Sequence, residues 1–167
     1  MYIWQPVTIM ILQQNYIQTV VFLPVMNVLE KMQTAVFNML SGYSEPKKWN
    51  RLIVAPIWMK NRFLQLIERE AGHAKQGKPA EITAKMNPLC DPAIIAALYY
   101  ASSCGVQINL LVRGICCLRT GIPGISENIH VRSIVGEFLE HSRIFYFKND
   151  GIDEIYMGSA ELDATKS

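Results

Sequence analysis

Two positions in this sequence carry side chains suited to phosphate chemistry, and the first of them is Arg113. It follows an apolar run at residues 108–112, which is predicted to be a buried strand. Open α/β sheets bind their ligands at the carboxyl ends of the strands. A guanidinium at such a position is a permanently charged fork that matches phosphate oxygens. A surface arginine paired with a carboxylate is the alternative interpretation.

The second position is the pair His141 and Arg143, at the start of an aromatic strand predicted over residues 142–148. Because side chains alternate along a strand, the two side chains share a face. The imidazole could act as acid, base or nucleophile on a phosphoryl group, and the guanidinium could neutralise its oxygens. A structural histidine at a strand start is the alternative. Arg119 and Arg132 could enlarge an anion patch, although a solvated face explains them more simply.

Hydrophobic periodicity predicts the elements that would position these side chains. Strands are expected at residues 51–56, 81–86, 108–112, 130–135, 142–148 and 154–158. Helices are expected at residues 60–75 and between Asp91 and Gly105, where Asp91 followed by Pro92 is typical of a helix N-terminus. Alternation of strands and helices at these lengths implies right-handed crossovers. The expected fold is α/β, with helices on a mixed, mostly parallel sheet.

The composition favours a globular domain over a disordered chain, since half of the 167 residues are apolar and 18% are charged. The formal net charge of +2 gives no basis for nucleic-acid binding, so any anion site must be local. The apolar stretch at residues 7–29 is interrupted by glutamines. It also lacks a basic leader and a cleavage site, so neither a membrane helix nor a signal peptide is predicted.

The cysteines do not indicate a metal site. Cys90, Cys104, Cys116 and Cys117 form no Cys-x-x-Cys pair, so reduced thiols in a cytoplasmic protein are expected. The glycines at residues 121–124 lack the Gly-Lys-Ser/Thr ending of a Walker-type loop, which argues against that kind of nucleotide site. The carboxylates show no spacing typical of a two-carboxylate metal site, and no metal ligand is predicted.

Four motifs together resemble the polyphosphate kinase family. They are KMNPLCDP at residues 85–92, VRGICCLR at 112–119, GISENI at 124–129 and SIVGEFLEHSRIFYF at 133–147. The motifs are long, ordered and correctly spaced, and the resemblance covers roughly residues 34–160. It implies two phospholipase-D-like catalytic domains that face each other across an ATP site. This chain would be truncated, with the tail of the first domain at residues 32–75 and most of the second at residues 76–160.

The resemblance also implies a reaction and roles for three residues. The reaction is reversible transfer of the terminal phosphate of ATP to a growing inorganic polyphosphate chain, through a phosphohistidine and with Mg²⁺. Arg113 matches the family's phosphate-contacting arginine. His141 matches its second active-site histidine, which is thought to contact ATP phosphates and assist proton transfer. Arg143 stands where such domains often carry the lysine of a His-x-Lys pair.

The implied partners are ATP, ADP and inorganic polyphosphate, and the implied location is the cytoplasm, up to the inner face of its membrane. Homo-oligomerisation is a further family expectation that no motif here addresses. Because the phosphorylated histidine lies upstream of the matched segment, the isolated chain is expected to show no turnover. Two alternatives stay open: a non-catalytic polyphosphate- or nucleotide-binding module that uses Arg113 and His141, and a non-functional product of a degraded gene.

Residues 1–31 and 161–167 do not match the family, and the genetic code suggests a reason. Codons for residues 1–8, read one nucleotide earlier, permit Val-His-Met-Ala-Thr-Gly-Asn, which resembles the family's His-x-x-Thr-Gly-Asn segment. Codons for residues 161–167 likewise permit Asp-Trp-Met-Gln-Arg-Asn. We therefore predict out-of-frame translation at both ends and poor order in residues 1–31. An intact codon series in the DNA, with no family-like frame nearby, would contradict this.

Overall fold

Strands and helices alternate through most of the chain, as the periodicity predicts. The computed structural model describes residues 8–13, 38, 41–42, 53–55, 59–134 and 142–158. The strands are β1 Thr8–Gln13, β2 Ile53–Ala55, β3 Glu81–Met86, β4 Gln107–Val112, β5 Ile129–Arg132, β6 Arg143–Phe147 and β7 Glu154–Gly158. The helices are α1 Met59–Lys75 and α2 Pro92–Ser103, and a short 3-10 turn spans Asn149–Gly151.

One sheet contains all seven strands, in the order β2-β1-β7-β6-β3-β4-β5. The strand pairings are parallel except for the two made by β6, which runs antiparallel to β3 and to β7. The predicted α/β fold with a mixed, mostly parallel sheet flanked by helices is confirmed. The unit β3–α2–β4 pairs its two strands directly. In contrast, three strands separate β2 from β3, so the simple alternation did not predict the neighbours of β2.

Strand β1 lies within residues 1–31, the segment predicted to be out of frame and poorly ordered. It pairs in parallel with β2 on one side and with β7 on the other. A strand therefore occupies part of that segment, while its reading frame stays a prediction. The rest of the segment and residues 161–167 lie outside the described residues. The predicted domain division between residues 75 and 76 stays a prediction, while β1 and β2, which precede it, belong to the same sheet as the strands that follow it.

The core lies between the two helices and one face of the sheet. Phe63 of α1 packs against Phe145, Phe147 and Tyr156, with ring centroids 4.4, 6.1 and 5.9 Å away. All four rings are almost fully buried. Burial of aromatic rings of this size is among the largest single sources of stability in a domain. Helix α1 is thus fixed to the centre of the sheet, on strands β6 and β7.

The junction between β3 and α2 follows the sequence closely. Asp91 is extended at φ −66° and ψ 117°, and its Oδ1 accepts hydrogen bonds from the N–H groups of Ala93 and Ile94. Pro92 occupies the first turn, where its missing N–H costs nothing. The helix ends at Ser103, and Gly105 takes a left-handed φ of 97° that favours glycine. The predicted start and stop of α2 are confirmed.

Candidate functional site

The six parallel strands end, and the antiparallel strand β6 begins, at one edge of the sheet, here called the carboxyl edge. Cationic side chains collect along it. Lys85 is the penultimate residue of β3, Arg113 follows β4, Arg132 ends β5 and Arg143 begins β6. Ligands of open α/β sheets bind at such an edge. The structure therefore places Arg113 and Arg143 at the same edge of the sheet.

The backbone of Arg113 is tied to the neighbouring strand. Its N–H donates to the carbonyl of Met86 at 3.1 Å, and the N–H of Gly114 donates to the carbonyl of Asn87 at 2.8 Å. A Cβ at Gly114 would lie only 3.2 Å from the Asn87 oxygen. The close approach of the two segments therefore favours glycine after the arginine. The side chain of Arg113 is half-buried.

Lys85 and Arg132 lie in one row across the sheet. Lys85 pairs with Leu111, and Leu111 pairs with Arg132, so the three side chains share a face. This is the face opposite the helices, because the alternate residues Met86 and Val112 are buried in the core. Lys85 Nζ also donates to Ser142 Oγ at 3.0 Å. The row places positive charge on β3 and β5, with the apolar Leu111 of β4 between the two cations.

Arg143 differs from the other cations because it lies on the helix-covered face of the sheet. It is only 3% exposed and lies on the same side of β6 as the core residues Phe145 and Phe147. The sequence predicts correctly that Arg143 stands at the entry of an aromatic strand. It does not tell which face of that strand the helices cover. The Arg143 guanidinium therefore places its positive charge within the fold, whereas the side chain of Arg132 is exposed to solvent.

His141 lies outside the described residues, so its predicted pairing with Arg113 stays a prediction. Its chain neighbour Ser142 is described, is exposed and contacts Lys85 across the sheet. Arg119 is not at the carboxyl edge. Its backbone N–H donates to Tyr99 Oη at 2.8 Å, which fixes it beside the middle of α2. Arg132 therefore lies at the carboxyl edge and Arg119 does not, and both side chains are exposed to solvent.

Among the described residues, Asp91 is the carboxylate closest to the carboxyl edge. It is buried, it caps α2, and its Oδ2 accepts a hydrogen bond from Lys60 Nζ at 2.6 Å. Burial alone would raise its pKa, but the hydrogen bonds from Lys60 and from the two backbone N–H groups outweigh burial and lower the pKa. The carboxylate thus stays charged and accepts hydrogen bonds from Lys60 and from the first turn of α2.

The opposite edge of the sheet, here called the amino edge, contains a dense network of charged groups. Glu70 is fully buried and accepts the N–H of Asn149 with both oxygens, at 3.0 and 3.2 Å. Arg69 bridges Glu70 and Glu154, at 3.2 and 3.0 Å. Tyr156 donates to Glu154 at 2.9 Å, and burial, with a smaller effect from Glu154, raises the tyrosine pKa to about 12. These groups neutralise one another and leave little capacity for a ligand.

The comparisons with known proteins agree with the motifs at the carboxyl edge. The sequence profile of the family described as Polyphosphate kinase C-terminal domain 2 matches residues 52–165, more than half of the chain. The chain belongs to the polyphosphate kinase family. It is 56% identical over 126 residues to polyphosphate kinase of Thermosynechococcus vestitus and 54% identical over 126 residues to that of Pseudomonas aeruginosa.

The alignments cover most of this chain but a small part of each relative. They span 75% of this chain in both cases, against 17% of the T. vestitus protein and 18% of the P. aeruginosa protein. The crystal structure of polyphosphate kinase from Porphyromonas gingivalis superimposes with a TM-score of 0.70 and 44% identity, over 77% of this chain and 21% of that one. The family profile also reaches into residues 161–165, beyond the predicted end of family-like sequence.

Two further observations concern membranes and metals. Neither α1 nor α2, the helices of the described residues, is long and apolar enough to cross a membrane. In the same part of the chain, no three histidine, cysteine or acidic side chains converge in a way that could hold a metal ion. Mg²⁺ prefers oxygen ligands, and the carboxylate nearest the carboxyl edge, Asp91, already has three donors. The residues described at this edge therefore do not fit a Mg²⁺ ion on their own.

Sequence reasoning missed two contributors to this edge. Lys85 lies inside a recognised motif, but its partnership with Ser142 depends on the antiparallel pairing of β3 and β6. Lys60 lies 31 positions before Asp91, and no local pattern links the two. A signal for Lys85 did exist, since a lysine near the carboxyl end of a strand stands where ligand-binding groups are expected.

Proposed function

We propose that this chain forms part of the phosphate-binding wall of an ATP-dependent polyphosphate kinase. The reaction proposed for the whole enzyme is reversible transfer of the terminal phosphate of ATP to an inorganic polyphosphate chain. Family membership supports the reaction class. The observation that carries the proposal for this chain is the position of Arg113, half-buried and anchored by main-chain hydrogen bonds at the carboxyl edge.

The charge distribution supports an anionic ligand at the carboxyl edge. Lys85, Arg113 and Arg132 extend over three consecutive strands, β3, β4 and β5. Neighbouring strands are about 4.8 Å apart, so these cations cover roughly 10 Å of the edge. Asp91, the nearby carboxylate among the described residues, is occupied by Lys60 and by the N-terminus of α2. A row of several phosphate groups matches this spacing and sign better than a single small anion.

The proposed chemistry assigns Arg113 to the phosphate oxygens. In phosphoryl transfer, the bond from the terminal phosphorus to the bridging oxygen of ATP breaks, and ADP leaves with that oxygen. The phosphoryl group first bonds to a histidine nitrogen, and then to the terminal oxygen of polyphosphate. Charge on the transferred oxygens must be neutralised by groups that are already in position. A fixed guanidinium does this without a proton transfer.

His141 and Arg143 complete the proposed site. His141 is assigned to ATP phosphate contact and to proton transfer, as the family motif implies. Arg143, buried on the helix side of β6, is expected to act through charge and to contribute less to affinity than Arg113 does. ATP, ADP and polyphosphate are the proposed partners. No step is assigned to Mg²⁺, because the described donors do not fit it.

The proposal is tested by polyphosphate binding to the purified 167-residue chain. Fluorescently labelled polyphosphate of defined length is titrated with the wild-type chain and with Arg113→Ala, and anisotropy reports the dissociation constant. Loss of charge-assisted hydrogen bonds worth about 1.5–3 kcal/mol predicts at least a tenfold weaker complex. His141→Ala is expected to weaken ATP binding in the same assay format.

Lys78→Ala supplies the matched control. It removes one positive charge at the amino edge, where Lys78 pairs with Asp150 in an exposed ion pair. Its dissociation constant should stay within about twofold of wild type, because exposed pairs contribute little. Equal weakening by Arg113→Ala and Lys78→Ala would show a non-specific attraction and refute the proposed site. Absence of any polyphosphate binding would refute it as well.

Turnover by this chain alone is a separate prediction. We expect no polyphosphate formation from ATP and Mg²⁺, because groups that act together in phosphoryl transfer fail when one is missing. The phosphorylated histidine implied by the family is not among the matched motifs. Incorporation of radiolabelled γ-phosphate into polyphosphate measures this directly. Product formation above the level of a heat-denatured sample would contradict the prediction, and it would leave the binding test unaffected.

A further inference from the structure

Two cysteines lie one residue beyond a bridge between the segments that leave β3 and β4. Beyond the strands, Leu89 forms an isolated parallel bridge with Cys116. Its N–H donates to the carbonyl of Ile115 at 2.8 Å, and its carbonyl accepts the N–H of Cys117 at 2.9 Å. In parallel pairing, the residues one step further along also lie opposite each other. Those residues are Cys90 and Cys117.

The pairing places the two cysteines within reach of a disulfide. Neighbouring extended segments are about 4.8 Å apart, and disulfides join Cα atoms at about 4.4–6.8 Å. The Cys90 thiol also points at the facing segment, because it donates to the carbonyl of Ile115 at 3.8 Å. All four cysteines of the chain are in the thiol form.

Both thiols lie on the outer side of these segments. Leu89 is 2% exposed and Cys116 packs against the core, so alternation directs their chain neighbours outward. Cys117 is exposed and Cys90 is half-exposed. A dissolved disulfide can therefore reach Cys117 first. Cys116 faces inward, and Cys104 caps the far end of α2.

We propose that Cys90 and Cys117 are a thiol–disulfide modification site that reacts with a small-molecule disulfide such as glutathione disulfide. The Cys117 thiolate attacks one sulfur of glutathione disulfide, forms a mixed disulfide and releases one glutathione. The Cys90 thiolate then attacks Sγ of Cys117 and releases the second glutathione. The protein loses two protons and two electrons, and one glutathione disulfide becomes two thiols. Reduced glutathione in excess reverses both steps.

The bond would link the start of α2 to the segment that carries Arg113. Cys90 directly precedes the capping Asp91, and Cys117 lies four residues after Arg113. Closing this loop restricts the unfolded chain and holds the carboxyl edge in its paired form. A redox-dependent clamp beside the proposed phosphate site goes beyond the transfer reaction itself, and it does not depend on it.

Mass spectrometry of the full chain tests the pair. The chain is incubated with glutathione disulfide, alkylated and digested with trypsin. Cleavage after Lys85, Arg113 and Arg119 gives one peptide of residues 86–113 with Cys90 and Cys104, and one of residues 114–119 with Cys116 and Cys117. The wild-type chain should lose two hydrogens in mass, and the two peptides should remain linked until they are reduced.

Two double variants identify the sulfurs. Cys104→Ser/Cys116→Ser retains only the proposed pair and should form the link as readily as wild type. Cys104→Ser/Cys117→Ser retains Cys90 and Cys116 and should give no link. Circular dichroism checks that both variants keep the wild-type secondary structure. A link in the second variant, or only glutathione adducts in the first, would overturn the proposal.

Discussion

Charged groups at the two edges of the sheet have opposite uses. At the amino edge, Glu70, Arg69 and Glu154 bind one another and the backbone of the turn at Asn149. At the carboxyl edge, Lys85, Arg113 and Arg132 follow one another across three strands with few acidic groups nearby. The first arrangement stabilises the fold, and the second concentrates positive charge along one edge. Substitutions at the two edges should therefore separate stability from binding.

The largest expected effect is on stability, at the amino edge. Glu70→Ala leaves the half-buried N–H of Asn149 and the guanidinium of Arg69 without their shared acceptor. Removing one partner from a buried charged network costs about 3 kcal/mol. Glu70 holds the backbone of Asn149, which together with its neighbour Asp150 has a positive φ, at 46° and 55°, that needs such support. Urea denaturation followed by circular dichroism measures the loss.

Glu68→Ala is the control for Glu70→Ala, because Glu68 is exposed on the same helix. It should change the free energy of unfolding by no more than about 0.5 kcal/mol. Polyphosphate affinity of the folded fraction should be unchanged in both variants. Weaker polyphosphate binding by Glu70→Ala under conditions where this variant is fully folded would contradict the assignment of stability to the amino edge and of binding to the carboxyl edge.

The second effect is intermediate and concerns Gly114. Gly114→Ala forces a Cβ to within 3.2 Å of the Asn87 carbonyl oxygen, so the segments must move apart by a few tenths of an ångström. We expect a stability loss of about 1–2 kcal/mol and a several-fold weaker complex with polyphosphate, since Arg113 moves with its neighbour. Thermal unfolding and the anisotropy titration measure the two quantities on the same sample.

Gly72→Ala is the matched glycine control. Nothing lies within 4 Å of a Cβ built at Gly72, which is inside α1. This variant should gain about 0.5–1 kcal/mol of stability and bind polyphosphate as wild type does. If Gly114→Ala bound as tightly as wild type, the anchoring of Arg113 by the Asn87 contact would be disproved.

The smallest effect is a pH dependence at the carboxyl edge. The pKa of Asp91 is lowered in the folded chain from an ordinary value of 3.8, so the unfolded chain takes up its proton first as the pH falls. The stability that the charged Asp91 contributes is fully present above pH 3.8. It is lost as the pH falls from there through the lowered pKa of the folded state.

Asp91→Asn keeps a good helix cap and removes this titration. Its difference in unfolding free energy from wild type should be about 1 kcal/mol or less at neutral pH and should disappear below the folded pKa. Urea titrations at a series of pH values from 6 to 2.5 would reveal it. A difference that stays constant over that range would exclude the charge of Asp91 as its cause.

Local sequence patterns predicted the bounds of the strands and helices better than they predicted which strands lie side by side in the sheet. Strands β3 and β7 begin and end where the sequence predicts, because turn residues bound both alternating runs. The Asp91–Pro92 start of α2 was equally clear, since capping depends on adjacent residues. The position of β2 at the far end of the sheet was not predictable. Strand β2 is connected to the rest of the sheet through β1 and β7, and these two strands come from distant parts of the chain.

The residues of the candidate site could be predicted from the sequence, but the burial of their side chains could be predicted less well. Arg113 could be assigned to the carboxyl edge because it directly follows an apolar strand. The burial of Arg143 could not be assigned, because alternation gives the shared face but not which face the helices cover. Glu70 was missed although it lies at helical spacing from Phe63 and Ile67, on the apolar side of α1. A carboxylate on such a stripe is a signal of a buried polar contact.

The main-chain anchoring of Arg113 has a consequence for experiments at high ionic strength. Dissolved ions screen the attraction between a guanidinium and a phosphate chain. They have little effect on N–H to carbonyl bonds such as those from Arg113 to Met86 and from Gly114 to Asn87. A potassium chloride series should therefore weaken polyphosphate binding smoothly while the backbone around the arginine keeps its form. Affinity lost in salt would be recovered on dilution, without a refolding step.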